Sequence, residues 1–189
     1  MKTIKMETKT ARTVENPDIG DRATFVETSE ETNGKRTLIH IDLAPKGGNI
    51  LHVHRAFDET FTAMEGVLGV QLEDQILYLH PGERATVKIG QKHRFFNPSD
   101  TDPIRFAVLL EPGSSNFEMA IQVAYGLSQD GLTRNAVPKN LYHLALLGIW
   151  SDTHMPGIMG WLEPVFRWLA ARAVRKGIDR ELKYRYCKF

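Results

Sequence analysis

Cysteine is almost absent: Cys187 is the single one, two residues before the final Phe189. One thiol cannot close an internal disulfide, so a packed core must hold the fold, and a reducing compartment is the expectation. Long apolar runs are missing too. No stretch approaches the roughly 18 apolar residues that a membrane-spanning helix needs. The first twenty residues, MKTIKMETKTARTVENPDIG, lack the apolar core of a signal peptide, which makes a cytoplasmic location the expectation. Charge of one sign is also missing. Lys and Arg number 24 against 23 Asp and Glu, a net charge of +1, and nothing in that balance favours nucleic acid. Internal repeats and low-complexity blocks are absent. What remains is a chain of 189 residues, a quarter of them charged, which fits one domain with a true core and some added elements.

Residues 1–19 are polar and Thr-rich and read as an N-terminal arm or an edge strand. From there to about residue 112, short Val-, Ile-, Leu-, Phe- and Thr-rich runs alternate with turn signals such as NGK at 33–35, PGE at 81–83 and NPSDTDP at 97–103. Strands at spacings near ten residues predict an all-β sandwich or barrel over residues 20–112. TLIHIDLA is the clearest alternation, with Ile39, Ile41 and Leu43 on one face and His40 and Asp42 on the other. After Pro112 the period becomes helical, and residues 113–189 are expected to be a helical extension packed on the barrel or at a dimer interface. Ser114 or Ser115 would cap the first helix, with Glu118 closing a capping box and Gly131 ending it. Asn140 would cap NLYHLALLGIW, apolar on most sides and therefore buried or set against a partner. A third helix follows, with Pro164 in its first turn and Gly177 at its stop; Trp161, Val165, Trp168 and Leu169 form its apolar side.

The chemistry is concentrated in HVHRAFDE, residues 52–59. On an extended chain, side chains two apart share a face, so His52 and His54 can point at one ion, and the RAFD turn can bring Glu59 alongside. Imidazole nitrogens with a carboxylate suit a divalent transition ion and suit calcium poorly. Phe61 continues the Glu59 face as a hydrophobic wall. The candidate fourth ligand is His93, which follows the IGQK turn and leads a run in which Phe95 and Asn97 share its side.

Taken together these residues resemble the two signature motifs of the cupin superfamily. The first motif reads His52-Val53-His54, Glu59 and Gly66; the second reads Gly82, Gly90, His93 and Asn97. The resemblance covers roughly residues 35–111. It departs from the pattern at Lys46, where a glycine is expected and Gly47 stands next to it, and at Lys88, where a proline is expected; neither position supplies a ligand. The resemblance implies a mainly β double-stranded β-helix, a jelly-roll barrel, followed here by C-terminal α-helices. It also implies one divalent metal ion held by His52, His54, Glu59 and His93, with manganese, iron, nickel, copper and zinc all acceptable to that ligand set.

Other residues are weighed against structural roles. His40 could face the cavity as an acid or base, and with Phe61 and Phe95 it makes up the expected substrate pocket. His80, His143 and His154 are read as structural, and Asp58 as pairing with solvent or Arg55. No catalytic proton-transfer group is identified. Two classes of function follow: a metal-dependent enzyme acting on a small organic molecule, dioxygenase- or isomerase-like, or a non-catalytic ligand-binding or sensing barrel whose helices mediate dimer contacts. The expected partners are a small molecule and a second copy in a homodimer. Nucleic acid is not expected, and membrane contact ranks below barrel packing.

Overall fold

The computed structural model describes residues 12–155 and 157–189; most of the 1–19 segment read as an arm lies outside them. Nine strands come first: β1 (Thr13–Asn16), β2 (Asp21–Glu27), β3 (Thr37–Leu43), β4 (Asp58–Glu65), β5 (Leu68–Leu72), β6 (Gln75–Leu79), β7 (Arg84–Val87), β8 (His93–Phe96) and β9 (Ile104–Glu111). They make a six-stranded sheet, β1-β2-β3-β9-β4-β7, and a three-stranded sheet, β6-β5-β8. Every pairing in both is antiparallel. β3 lies beside β9 and β4 beyond it, so strands distant in sequence are neighbours, as in a jelly roll and unlike a meander.

Alternation sets which faces meet. Thr37, Ile39, Ile41 and Leu43 of β3 are buried, as are Ile104, Phe106, Val108 and Leu110 of β9 and Glu59, Phe61 and Ala63 of β4. Leu68, Val70 and Leu79 from the smaller sheet join the same apolar cluster. Each such large side chain contributes about 1.5–3 kcal/mol by leaving water. Glu59 is an anomaly, a carboxylate in the inward row of a core strand.

The extension holds α1 (Ser115–Gln129), a two-residue-stranded hairpin β10 (Thr133–Arg134) and β11 (Val137–Pro138), α2 (Leu141–Trp150), a 3₁₀ turn at Gly157–Leu162, α3 (Glu163–Arg175) and α4 (Ile178–Tyr186). Ser114 caps α1 by accepting from the Phe117 N–H, and Asn140 caps α2 by accepting from the Tyr142 N–H. Glu118 does not close a capping box. It is buried and accepts instead from the Ser29 N–H and the Thr37 hydroxyl, tying α1 to the barrel. Phe117 and Tyr125 of α1 belong to the barrel core, while Val123 and Leu127 meet Leu146, Ala170, Ala173 and Leu182 in a second cluster.

The α3 wheel turns out rotated from the sequence reading. Ala170 and Ala173 form its buried face, with Phe166 and Leu169 partly buried, while Trp161, Val165 and Trp168 are more than half exposed. Small residues win the inner face because α3 approaches α2 closely enough that alanines fill the gap. α2 buries Ala145, Leu146 and Leu147 but leaves Leu141 and Ile149 exposed.

Candidate metal centre

The two halves of the ligand-type cluster are joined by backbone. The His52 N–H donates to the His93 carbonyl at 3.0 Å, and the His93 N–H donates back to His52 at 2.9 Å. Glu59 enters from the other sheet, in register with Leu110 and Val87, so the four side chains meet between the sheets. Gly66 stands where the chain turns out of β4: its φ is +75°, and a Cβ there would lie 2.6 Å from Ile104.

His52, His54, Glu59 and His93 are all buried, and one ligand-type atom from each lies within 4.8 Å of every other. The tautomers follow from the outer hydrogen bonds. His52 Nδ1 faces the Ile50 carbonyl at 2.7 Å, His54 Nδ1 the Asp152 carbonyl at 3.0 Å, and His93 Nδ1 the Gln91 carbonyl at 3.1 Å. A carbonyl can only accept, so each Nδ1 carries a hydrogen and each Nε2 turns inward. There His52 Nε2 and His54 Nε2 stand 3.0 Å apart, and His93 Nε2 lies 2.9 Å from Glu59 Oε2. Two bare lone pairs at that separation repel unless something positive sits between them.

A divalent ion fits. Ligand atoms at roughly 2.1 Å from one ion and at right angles are about 3.0 Å from each other. The 3.0 and 2.9 Å contacts match such neighbours, and the 4.0 Å between His54 Nε2 and Glu59 Oε2 matches an opposed pair. The electrostatics agree. Burial, then the neighbouring imidazoles, push His52 down to about 3, and burial lowers His54, so both rings stay neutral and free to ligate. Burial alone would raise Glu59, but the His93 hydrogen bond and the three imidazoles bring it below its ordinary value. His93 is raised, since the Glu59 hydrogen bond and charge overcome its burial.

A cavity of about 270 Å³ opens onto this cluster and is lined by His52, His54 and Glu59. Its walls are mostly apolar, with Ile39, Ile41, Val108 and Phe95 from the barrel and Phe117, Ile121 and Ala124 from α1. A larger depression, about 550 Å³, shares Asn16 and Asp21 with it but touches none of the four ligand-type side chains.

Of the expected pocket residues only Phe95 lines the cavity. Phe61 is wholly buried and packs behind, its ring 6.2 Å from His93 and 5.9 Å from Phe95. His40 is placed otherwise. It alternates out of the inward row of Ile39 and Ile41 and sits on the outer face of β3, so it is no acid or base of this cavity. Asp58 also departs from the expectation. It accepts from Lys88 Nζ and the Ile89 N–H, while Arg55 pairs with Glu163 of α3. Asn97 pins loops, donating to the carbonyls of Leu43, Ala44 and Asp102.

Sequence reasoning missed two contributions. One is the 151–154 turn after α2. Asp152, at φ +50°, offers its carbonyl to His54, while its carboxylate accepts from the Arg55 and Ala56 N–H groups and pairs with His154. The other is Asp21, buried on β2, which accepts from the Tyr125 hydroxyl at 2.6 Å. Its signal was present: an acid in the inward row with Ala23 and Phe25.

Residues 39–110 match the family model described as Cupin domain. No curated protein matches the chain. Among solved structures, an RmlC-like cupin from Shewanella frigidimarina is 16% identical, covers 58% of this chain and 91% of its own, with a TM-score of 0.49. KdgF from Halomonas sp. is 14% identical over 51% of this chain and 82% of its own, at 0.45. A predicted oxalate decarboxylase from Thermotoga maritima is 17% identical over 49% and 80%, at 0.46.

Proposed function

The chain carries a cupin domain at residues 39–110, and from that premise we propose that it holds one divalent transition ion on His52, His54, Glu59 and His93 and acts as a metal-dependent enzyme on a small organic molecule, in the manner of a dioxygenase or isomerase. The observation that carries this is the locked ring orientation: three Nδ1 hydrogens are spent on main-chain carbonyls, so three Nε2 atoms and one carboxylate face a single point, and an ion would displace the proton that His93 Nε2 directs at Glu59. Manganese, iron, nickel, copper and zinc all accept such donors. A bound ion would supply Lewis acidity or, with iron, oxygen chemistry. The chain's own part is to fix the imidazoles, surround the reacting end with apolar wall and keep bulk water out. The cavity lies just below the roughly 300 Å³ at which drug-sized sites begin, which favours a compact or slender substrate.

Elemental analysis of tag-free protein tests this. One equivalent of a transition metal is expected, and its loss in the His52→Ala/His54→Ala variant with an unchanged circular dichroism spectrum. Metal retained by the double variant, or none in the parent after reconstitution under reducing conditions, rejects the reading.

A second reading is a ligand-sensing barrel that works as a homodimer. It is favoured by the exposed apolar face of Trp161, Leu162, Val165 and Trp168, which a second copy would cover. Light scattering should then give twice the chain mass, falling to a single mass in Trp161→Ser/Trp168→Ser. A monomeric parent removes this reading.

A further inference from the structure

The cavity has a second polar end that the proposed metal site does not use. α1 runs along it. Phe117 lies at the imidazole end, its ring 5.9 Å from His54, and Tyr125 lies at the other, bonded to Asp21. Eight residues of helix separate them, about 12 Å at 1.5 Å per residue. The barrel floor gives the same axis. Glu59 pairs with Leu110, which pairs with Thr37 at one end of β3, whereas Asp21 pairs with Leu43 at the other end. The rest of the lining is mostly apolar, with Asn16, Asn49, Ser151 and Thr153 as its uncharged polar members.

At the far end Asp21 is 4% exposed. One carboxylate oxygen accepts from Tyr125; the other, Oδ1, is buried and has no hydrogen-bond partner among the described residues. A buried carboxylate oxygen without a partner is costly, and such groups in folded proteins are normally paired. The missing partner is a donor, because an ionised carboxylate only accepts. Burial raises the Asp21 carboxyl to about 7, so it can ionise near neutrality when a cation or donor is brought to it.

Building on the metal reading, we propose that Asp21 and Tyr125 form a distal recognition site for the ligand's far end. The ligand is then an elongated molecule with a metal-binding oxygen at one end, an apolar body, and a terminal ammonium or hydroxyl that donates to Asp21 Oδ1. Tyr125 holds the carboxylate in place from the other side. The largely apolar lining disfavours multiply charged bodies, and the orphan oxygen discriminates against a plain methyl end, as unmatched buried polar groups do.

The test uses cobalt(II)-loaded protein, whose visible spectrum reports a carboxylate reaching the ion. A homologous series of straight-chain ω-amino carboxylates is titrated beside the ω-hydroxy and methyl-ended acids of equal length. At one chain length the amino- or hydroxy-ended acid should bind at least about ten-fold tighter than the methyl-ended one. Asp21→Asn should abolish the preference for the amino end and Tyr125→Phe should weaken it, with the cobalt spectrum of the ligand-free variants unchanged. Equal affinity of the three series at every length, or an unchanged preference in Asp21→Asn, overturns the proposal. If cobalt does not bind, the metal reading falls by itself. The preference is then read on the metal-free protein as a shift in thermal midpoint with the same acids, which Asp21→Asn must remove; no differential shift overturns the distal site.

Discussion

Lys46 holds φ +60° at the third position of the turn Ala44-Pro45-Lys46-Gly47, closed by the Gly47 N–H on the Ala44 carbonyl. Proline second and a left-handed residue third is the pattern of a type II turn, where glycine is the usual occupant. The cupin pattern places its glycine there, and the backbone keeps the conformation although the side chain has changed. Gly47 serves a different need: a Cβ on it would lie 2.6 Å from Leu43 Cδ1. The left-handed cost for an L-residue is about 1–2 kcal/mol, offset partly by the unfolded-state freedom that glycine brings. Lys46→Gly should therefore stabilise by about 0.5–1 kcal/mol, since the exposed Lys46–Asp100 pair contributes little. A higher urea midpoint at unchanged m-value is the expected result; a lower midpoint would mean that the turn is not strained. The four ligand-type residues were readable because strand parity and motif spacing are local, whereas parity sets His40 opposite Ile39 and Ile41 without saying which face lines the cavity.

At the scale of elements, the strands were legible wherever one face is buried, and the caps at Ser114 and Asn140 were legible because capping is a short-range hydrogen bond. Contacts between elements were not. Tyr125 reaches Asp21 across 104 residues of sequence, and His54 reaches Asp152 across 98, and no periodicity links such pairs. The same limit hid the true inner face of α3, which depends on how closely α2 approaches. The 151–154 turn is the element with most leverage on the imidazoles, because the Asp152 carboxylate clamps the amides just after His54. Asp152→Ala leaves the carbonyl but frees that clamp. Cobalt affinity should fall about ten-fold, as loss of outer support to a ligand typically does, with secondary structure intact by circular dichroism. Unchanged affinity would show that the carbonyl alone orients His54.

For the whole molecule, Asp21 is where β2, α1 and the cavity meet, and its burial has a global consequence. In the unfolded chain its carboxyl titrates near 3.8, and in the fold near 7. Between those values the folded state holds a proton that the unfolded state has lost, so stability falls as pH rises across that window and levels off above it. The facing groups are the Tyr125 hydroxyl from α1, which opposes the shift, and Asp42 from β3, which adds to it; Asn16, opposite on β1, does not titrate. Comparing the protein with Asp21→Asn cancels the titration of the other groups. The parent should lose on the order of 1 kcal/mol per pH unit relative to the variant between about pH 4 and 7. Parallel stability curves would contradict the raised value.

The cavity is walled on one side by strands and on the other by α1 and the turn after α2. On the proposed function, coordination and admission fall to separate stretches of chain: 52–93 would carry the donors, while 117–125 would set what shape of molecule lies beside them. Exchanging the α1 face for one with larger or more polar side chains would retune selectivity without disturbing the donors. On that reading the extension would serve as a template for ligand length, set against a fixed set of donors.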